Sequence, residues 1–257
     1  MTNSNRVPSI VVTNLKGGVA KTTTAFNLAG ALARQGKSVL AIDLDPQGNL
    51  SQSFEYQSGG STTDIFLGNT PEPCETSVPR VTLVPADKSL SGLQAQLATD
   101  FDLQFRVRDF LAGLSGYDFF VIDTPPTLGS YSLAGALAAT HALIPQSSQF
   151  FSIKGTSDVL DSLLKIKQRL NPGLVLLGVC ITAHDRRTAL GSEVIEKSKA
   201  RLNGSVFNTV IHRTIKIEES QVARRPVVEM FPGSEVAKEY ERLTAEILGK
   251  IKQGDAE

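Results

Sequence analysis

The segment Lys16-Gly17-Gly18-Val19-Ala20-Lys21-Thr22-Thr23 lies between an apolar run, Ile10-Val11-Val12, and a stretch with apolar residues at helical spacing, Phe26, Leu28, Ala29, Leu32 and Ala33. Strand, glycine turn and helix in that order constrain the fold more than any other feature of the chain. The backbone N–H groups of such a turn and the N-terminus of the helix form a phosphate-binding cradle. Gly17 and Gly18 let the backbone approach an anion closely and adopt φ > 0 where needed. Lys21 has the reach of a point charge toward the β- and γ-phosphates, and the Thr22 hydroxyl is placed to ligate Mg²⁺. Thr23 can add a hydrogen bond near the helix start. The ordinary pattern, G-x-x-x-x-G-K-[ST], is not met: counting back from Lys21, its glycines fall on Leu15 and Ala20. An alanine there is expected to sit at negative φ. Lys16 is a second cation for which the ordinary loop has no use.

Apolar runs alternate with helical patterns along the chain, which reads as βαβ units and a mostly parallel sheet. Strands are predicted at Ser9–Thr13, Ser38–Asp43, Val81–Val84, Asp118–Asp123, Ala142–Pro145, Leu174–Thr182 and Val206–Ile211. Most lack polar alternation and are expected to be buried on both faces. Helices are predicted at Thr22–Gln35, Leu103–Ala112, Ser130–Ala138, Ser152–Leu170, Ala189–Leu202 and Ser234–Lys252. Gln57–Pro79, rich in Gly, Ser, Thr and Pro, reads as a loop with one short helix near Thr63–Leu67. The fold class is α/β, a doubly wound, mostly parallel sheet with helices on both faces. Residues 1–257 form one domain, and residues 1–8 are expected to be a disordered tail.

Two carboxylate motifs follow the loop. Ala41-Ile42-Asp43-Leu44-Asp45-Pro46-Gln47-Gly48-Asn49 ends the second strand, and strand alternation would place Asp43 and Asp45 on one face. Phe119-Phe120-Val121-Ile122-Asp123-Thr124-Pro125-Pro126 is an apolar strand ending in an acid, the Walker B form, in which Asp123 holds Mg²⁺ through water.

The form K-G-G-x-x-K-[ST]-[ST], followed by D-x-D-P-Q and D-x-P-P, resembles the ParA/MinD family of deviant Walker A P-loop ATPases, and within it the ParA/Soj type. The resemblance spans about Ser9 to Ile251. It implies ATP hydrolysis with ATP and Mg²⁺, and ATP contacts from Lys16, Gly17, Gly18, Val19, Ala20, Lys21, Thr22 and Thr23. Lys16 reaches the nucleotide of a second subunit, so that two ATPs are sandwiched in a homodimer. Asp45 orients the attacking water beside Lys16 and Lys21, and Asp43 supports the metal with Thr22 and Asp123. His184-Asp185-Arg186-Arg187-Thr188 is similar to the D-x-R-T turn of Soj-type proteins, and Ile211-His212-Arg213-Thr214-Ile215-Lys216-Ile217 to their I-P-R-N-V-R-L segment. By these matches Arg187, Arg213 and Lys216 contact non-specific double-stranded DNA, and His212 and Thr214 lie by the adenine. Gln149 and Lys154 stand where the family commonly carries glutamates near its dimer interface.

The resemblance implies a cytoplasmic, nucleoid-associated protein that moves a plasmid, a chromosome origin or another cargo when a ParB-like partner stimulates slow hydrolysis. Composition fits that reading. Between His184 and Arg225, nine basic residues face five acidic ones, a local balance of +4 in a chain of zero net charge. Such a patch favours salt-sensitive contact with phosphates. Cys74 and Cys180 have no metal-ligand spacing, against an iron–sulfur protein. A MinD-like membrane-associated regulator of division is the alternative. It requires a basic amphipathic end with bulky apolar residues, which Ile251-Lys252-Gln253-Gly254-Asp255-Ala256-Glu257 lacks. The longest apolar run, about Leu174 to Ala183, is far short of the ~20 residues that span a bilayer. A nucleotide-binding scaffold without turnover is opposed only by Asp45.

Overall fold

The computed structural model describes residues 6–127, 129–148, 152–185, 189–202 and 205–254. Arg187 and Gln149 lie outside the described residues, as does the Lys154 side chain. The strands are β1 (Ser9–Val12), β2 (Val39–Asp43), β3 (Cys74–Glu75), β4 (Val81–Val84), β5 (Phe119–Asp123), β6 (His141–Ser147), β7 (Val175–His184) and β8 (Val206–His212). They form one sheet in the order β3-β4-β2-β5-β1-β6-β7-β8, parallel except for the antiparallel β3–β4 pair. The Pro8 carbonyl accepts a hydrogen bond from Phe120 N, so the chain is engaged before β1 begins.

The helices are α1 (Lys21–Arg34), α2 (Asn49–Ser53), α3 (Thr62–Phe66), α4 (Gln94–Thr99), α5 (Arg106–Ala112), α6 (Ser130–Ala138), α7 (Ser152–Arg169), α8 (Ala189–Arg201), α9 (Ile215–Val222), α10 (Val227–Met230) and α11 (Glu235–Gly254). The long ones follow the apolar periodicity. The short ones α2, α4, α9 and α10, and β3, do not; tertiary contacts and caps hold them. The Asp87 carboxylate, for example, accepts from Ser89 N and Leu90 N to start a 3₁₀ turn before α4. The expected helix Leu103–Ala112 begins instead as a 3₁₀ turn, Phe101–Phe105, and becomes α-helical at Arg106.

Alternate residues of β1 feed two cores. Ile10 and Val12 pack with Phe26, Leu28 and Leu32 of α1 and with Tyr240, Leu243 and Ile247 of α11. Val11 packs with Tyr131 and Ala134 of α6, and with Val159 and Leu163 of α7. The strand is thus buried on both faces, and each Leu, Ile or Val so placed contributes about 1.5–3 kcal/mol. β1 lies between β5 and β6, where the chain's path across the sheet reverses. Ligands of open α/β sheets bind at such a switch point, outside the carboxyl ends of the strands.

The β8 edge is irregular. Val179 pairs with Val206 and Ile181 with Val210, so β8 carries two extra residues there. The displaced Asn208 and Thr209 N–H groups both donate to the Glu246 carboxylate of α11, at 2.9 Å each. Seven residues earlier on the same helix, Glu239 accepts from His212 N at 2.9 Å.

Candidate nucleotide-binding site

The loop between β1 and α1 is held from outside. Asn14 Nδ2 donates to the Pro145 carbonyl at the end of β6, and Asn14 Oδ1 accepts from Lys16 N. The Thr182 hydroxyl of β7 donates to the Val19 carbonyl. These anchors shape a cleft of about 650 Å³ lined by Gly17, Gly18, Ala20, Lys21, Thr22, Thr23 and Asp45. A Cβ added at Gly17 or Gly18 would meet nothing within 4 Å, so the backbone faces open space where an anion could approach. Ala20 corrects the sequence expectation. Its φ is +61° and ψ 35°, the left-handed region, and it caps α1 while its carbonyl accepts from Thr24 N. The turn needs left-handed backbone to aim the first N–H groups of α1 into the cleft, and the outside anchors impose it on a non-glycine residue.

Lys21 is 7% exposed. Burial pushes its pKa below the usual lysine range, while Asp123 and Asp45 pull the other way. Its Nζ donates to the Lys16 carbonyl. Among the described residues, no hydrogen bond or ion pair holds the Lys16 ammonium.

Asp43 and Asp123 pair in register on neighbouring strands, both fully buried. Burial raises Asp123 well above the usual carboxylate range, and Asp43 adds to the rise; the Thr22 hydroxyl bond and Lys21 oppose it. Asp123 Oδ2 accepts from Thr22 Oγ1 at 2.6 Å, and Asp123 Oδ1 has no partner. A buried carboxylate with one oxygen unpaired, touching a threonine hydroxyl, suits a cation. No group of three or more His, Cys, Asp or Glu converges among the described residues. A cation at Thr22 and Asp123 would therefore complete its shell with water and phosphate oxygens, as Mg²⁺ commonly does.

Strand alternation does not govern the pair Asp43 and Asp45, because β2 ends at Asp43 and the chain turns. Asp43 Oδ2 accepts from Ser51 N at 2.8 Å and Ser51 Oγ at 2.7 Å, and Oδ1 from Asp45 N at 3.0 Å. With both oxygens engaged, Asp43 pins the loop to α2. Burial raises its pKa to about 6 against these bonds. Asp45 lines the cleft and caps its own turn, accepting from Gln47 N at 2.9 Å.

His212 and Thr214 line a second cavity of about 360 Å³ beyond the ends of β7 and β8. His212 Nδ1 lies 2.5 Å from Glu239 Oε1, and the Thr214 hydroxyl caps α9 by accepting from Lys216 N. Arg213 and Lys216 are exposed. Sequence reasoning missed Gln221 and Val222, which line the phosphate cleft from α9. They follow the loop by about 200 residues in no motif, and nothing local could have found them.

The family described as an AAA domain matches residues 7–176. The chromosome-partitioning ATPase Soj of Thermus thermophilus is 34% identical over 249 residues, 96% of this chain and 98% of that one. The chromosome partitioning protein ParA of Caulobacter vibrioides is 30% identical over 99% of this chain and 98% of its own. A crystal structure of a Mycobacterium smegmatis protein named cobyrinic acid a,c-diamide synthase, with bound ADP and magnesium, superposes with a TM-score of 0.83 at 31% identity, covering 99% of this chain and 97% of that one. A cradle of this form, two buried carboxylates beside it and full-length likeness to Soj and ParA proteins lead to one statement: this chain belongs to the Soj/ParA family of P-loop ATPases.

Proposed function

We propose that this chain is a partitioning ATPase whose ATP-bound dimer holds non-specific DNA and releases it on hydrolysis. The observation that carries the reading is that Lys21, Thr22 and Asp45 line one open cleft, with the buried Asp123 of a third strand end bonded to Thr22. The nucleotide and magnesium of the M. smegmatis structure support ATP and Mg²⁺ as its ligands.

Lys21 and the N–H groups of the loop hold the phosphates. Bound Mg²⁺ would draw charge from the phosphate oxygens. Thr22 and Asp123 would hold that cation, and its charge would favour ionised Asp123. Asp45 holds a water in line with the terminal phosphorus. Phosphoryl transfer needs positioning and charge stabilisation more than covalent help, so a carboxylate that aligns water suffices. The free Lys16 ammonium supports its reaching the nucleotide of the second subunit. Exposed Arg213, Lys216 and Arg224 lie at and beside α9, which also exposes Glu218 and Glu219, and they are the proposed contacts to the phosphate backbone of DNA. A ParB-like protein is the proposed stimulator, and the nucleoid the proposed location.

No helix among the described residues is long and apolar enough to cross a membrane. The apolar face of α11 is committed to the core through Val236, Tyr240, Leu243 and Ile247, which leaves it no free face for a bilayer. This observation speaks against α11 as a membrane-binding helix.

The test is binding to random-sequence duplex DNA with ATP, ADP or no nucleotide across a salt series, for wild type and Arg213→Ala/Lys216→Ala. ATP-dependent, salt-sensitive binding that the double substitution weakens at least about tenfold supports the reading. Absence of binding in every nucleotide state would remove DNA as the matrix.

A further inference from the structure

We propose that Gln221 couples occupancy of the phosphate cleft to the order of α9, the helix that carries Lys216. The coupling itself rests on contacts within the chain. Its consequence for DNA rests on the reading given above.

Gln221 Nε2 donates to the Thr23 hydroxyl at 3.3 Å, joining α9 to the first turn of α1. That hydroxyl, accepting from Gln221, keeps its own proton to donate into the cleft. An anion that takes this proton makes the oxygen a better acceptor, so the two bonds strengthen each other. In return, Gln221 fixes the hydroxyl in the orientation the anion needs.

The two ends of this segment are held very differently. Just after α9 the chain is riveted to α1: Val227 N donates to Asn27 Oδ1 at 2.8 Å and Arg34 Nη1 to the Val228 carbonyl at 2.9 Å. A Cβ on Gly30 would lie 2.4 Å from Pro226 Cβ, so the two backbones are in close contact. α9 itself has only Ser220 fully buried and Ile217 partly buried against the core, with Ile215 64% and Val222 86% exposed. Eight residues held by one partly buried isoleucine and one cap make a marginal helix. α9 is therefore the element whose order a single added bond can shift, and Gln221 is the side chain that ties it to the loop. Gln221 acts as a positioning residue: it sets where Lys216 stands through Thr23.

The experiment is hydrogen exchange of peptides covering 215–224, with and without saturating ATP and magnesium, in wild type, Gln221→Ala and Thr23→Val. A fluorescent ATP analogue titrated in parallel fixes saturation for each protein. In wild type, ATP is expected to slow exchange across α9 about fivefold or more, and Gln221→Ala to remove most of that slowing. Coupling is reciprocal, so Gln221→Ala weakens nucleotide binding by a similar factor. Thr23→Val removes the slowing from the other side. Full ATP-dependent slowing retained in Gln221→Ala overturns the proposal, whatever DNA does. If the slowing depends on Gln221 while wild type binds no DNA, the coupling stands and the DNA reading falls.

Discussion

Thr22 donates its hydroxyl proton to Asp123 across 101 residues of sequence, at 2.6 Å and in the protein's interior. One contact thus ties the start of the phosphate-binding helix to the end of β5, and both groups are the proposed holders of a cation. Thr22→Ala and Asp123→Asn are each expected to reduce magnesium-dependent ATP turnover by about 10–100-fold or more. Titrating magnesium against ATPase rate checks this: both variants need more metal, and chelation abolishes the wild-type rate.

Asp45 faces the cleft while Asp43 is tied down by Ser51. Asp45→Ala is expected to keep ATP binding and lose turnover by about 10²–10⁴-fold, the range of a positioned group that handles water. Phosphate release under single-turnover conditions, beside equilibrium binding of a fluorescent ATP analogue, separates the two. Wild-type turnover in Asp45→Ala would remove that aspartate from the chemistry.

Ala20 sits at φ +61°. Left-handed backbone costs a non-glycine residue about 1–2 kcal/mol, and glycine gives back roughly 0.4–1 kcal/mol through its freer unfolded chain. Ala20→Gly is therefore expected to be neutral or stabilising by up to about 1 kcal/mol. Ala20→Val, branched at Cβ, is expected to cost about 2 kcal/mol. Urea unfolding without nucleotide measures both.

Gly30 lies against Pro226, where an added methyl would be 2.4 Å from the ring carbon Cβ. A proline ring cannot rotate away, so Gly30→Ala must separate α1 from α10. The expected loss is about 1–3 kcal/mol, the range for overpacking, despite the better helix propensity of alanine. Thermal unfolding reads this directly, and an unchanged melting temperature would show that the segment yields.

The sheet was legible because β1, β2, β5 and β6 are buried on both faces and declare themselves as unbroken apolar runs. The loop chemistry was legible because Lys21 and Thr22 are neighbours in sequence. What escaped depends on distant residues. The φ of Ala20 is imposed through Asn14, Pro145, Val19 and Thr182, which no local pattern connects. Nothing near His212 announces its partner Glu239, which arrives 27 residues later on another helix. α9 is too short for periodicity to reveal and owes its place to Thr214 and Gln221. The pairing of Asp43 with Ser51 overrode alternation because β2 ends at Asp43 and its buried carboxylate is held by three donors, Ser51 N, Ser51 Oγ and Asp45 N.

Glu246, by occupying the Asn208 and Thr209 N–H groups, has a consequence for how copies of this protein can associate. An open strand edge invites another chain to add a strand. Here the Glu246 carboxylate already accepts the two N–H protons that an incoming backbone would have to accept. At these two positions the β8 border therefore offers no free N–H to an added strand, which disfavours sheet-to-sheet polymerisation there.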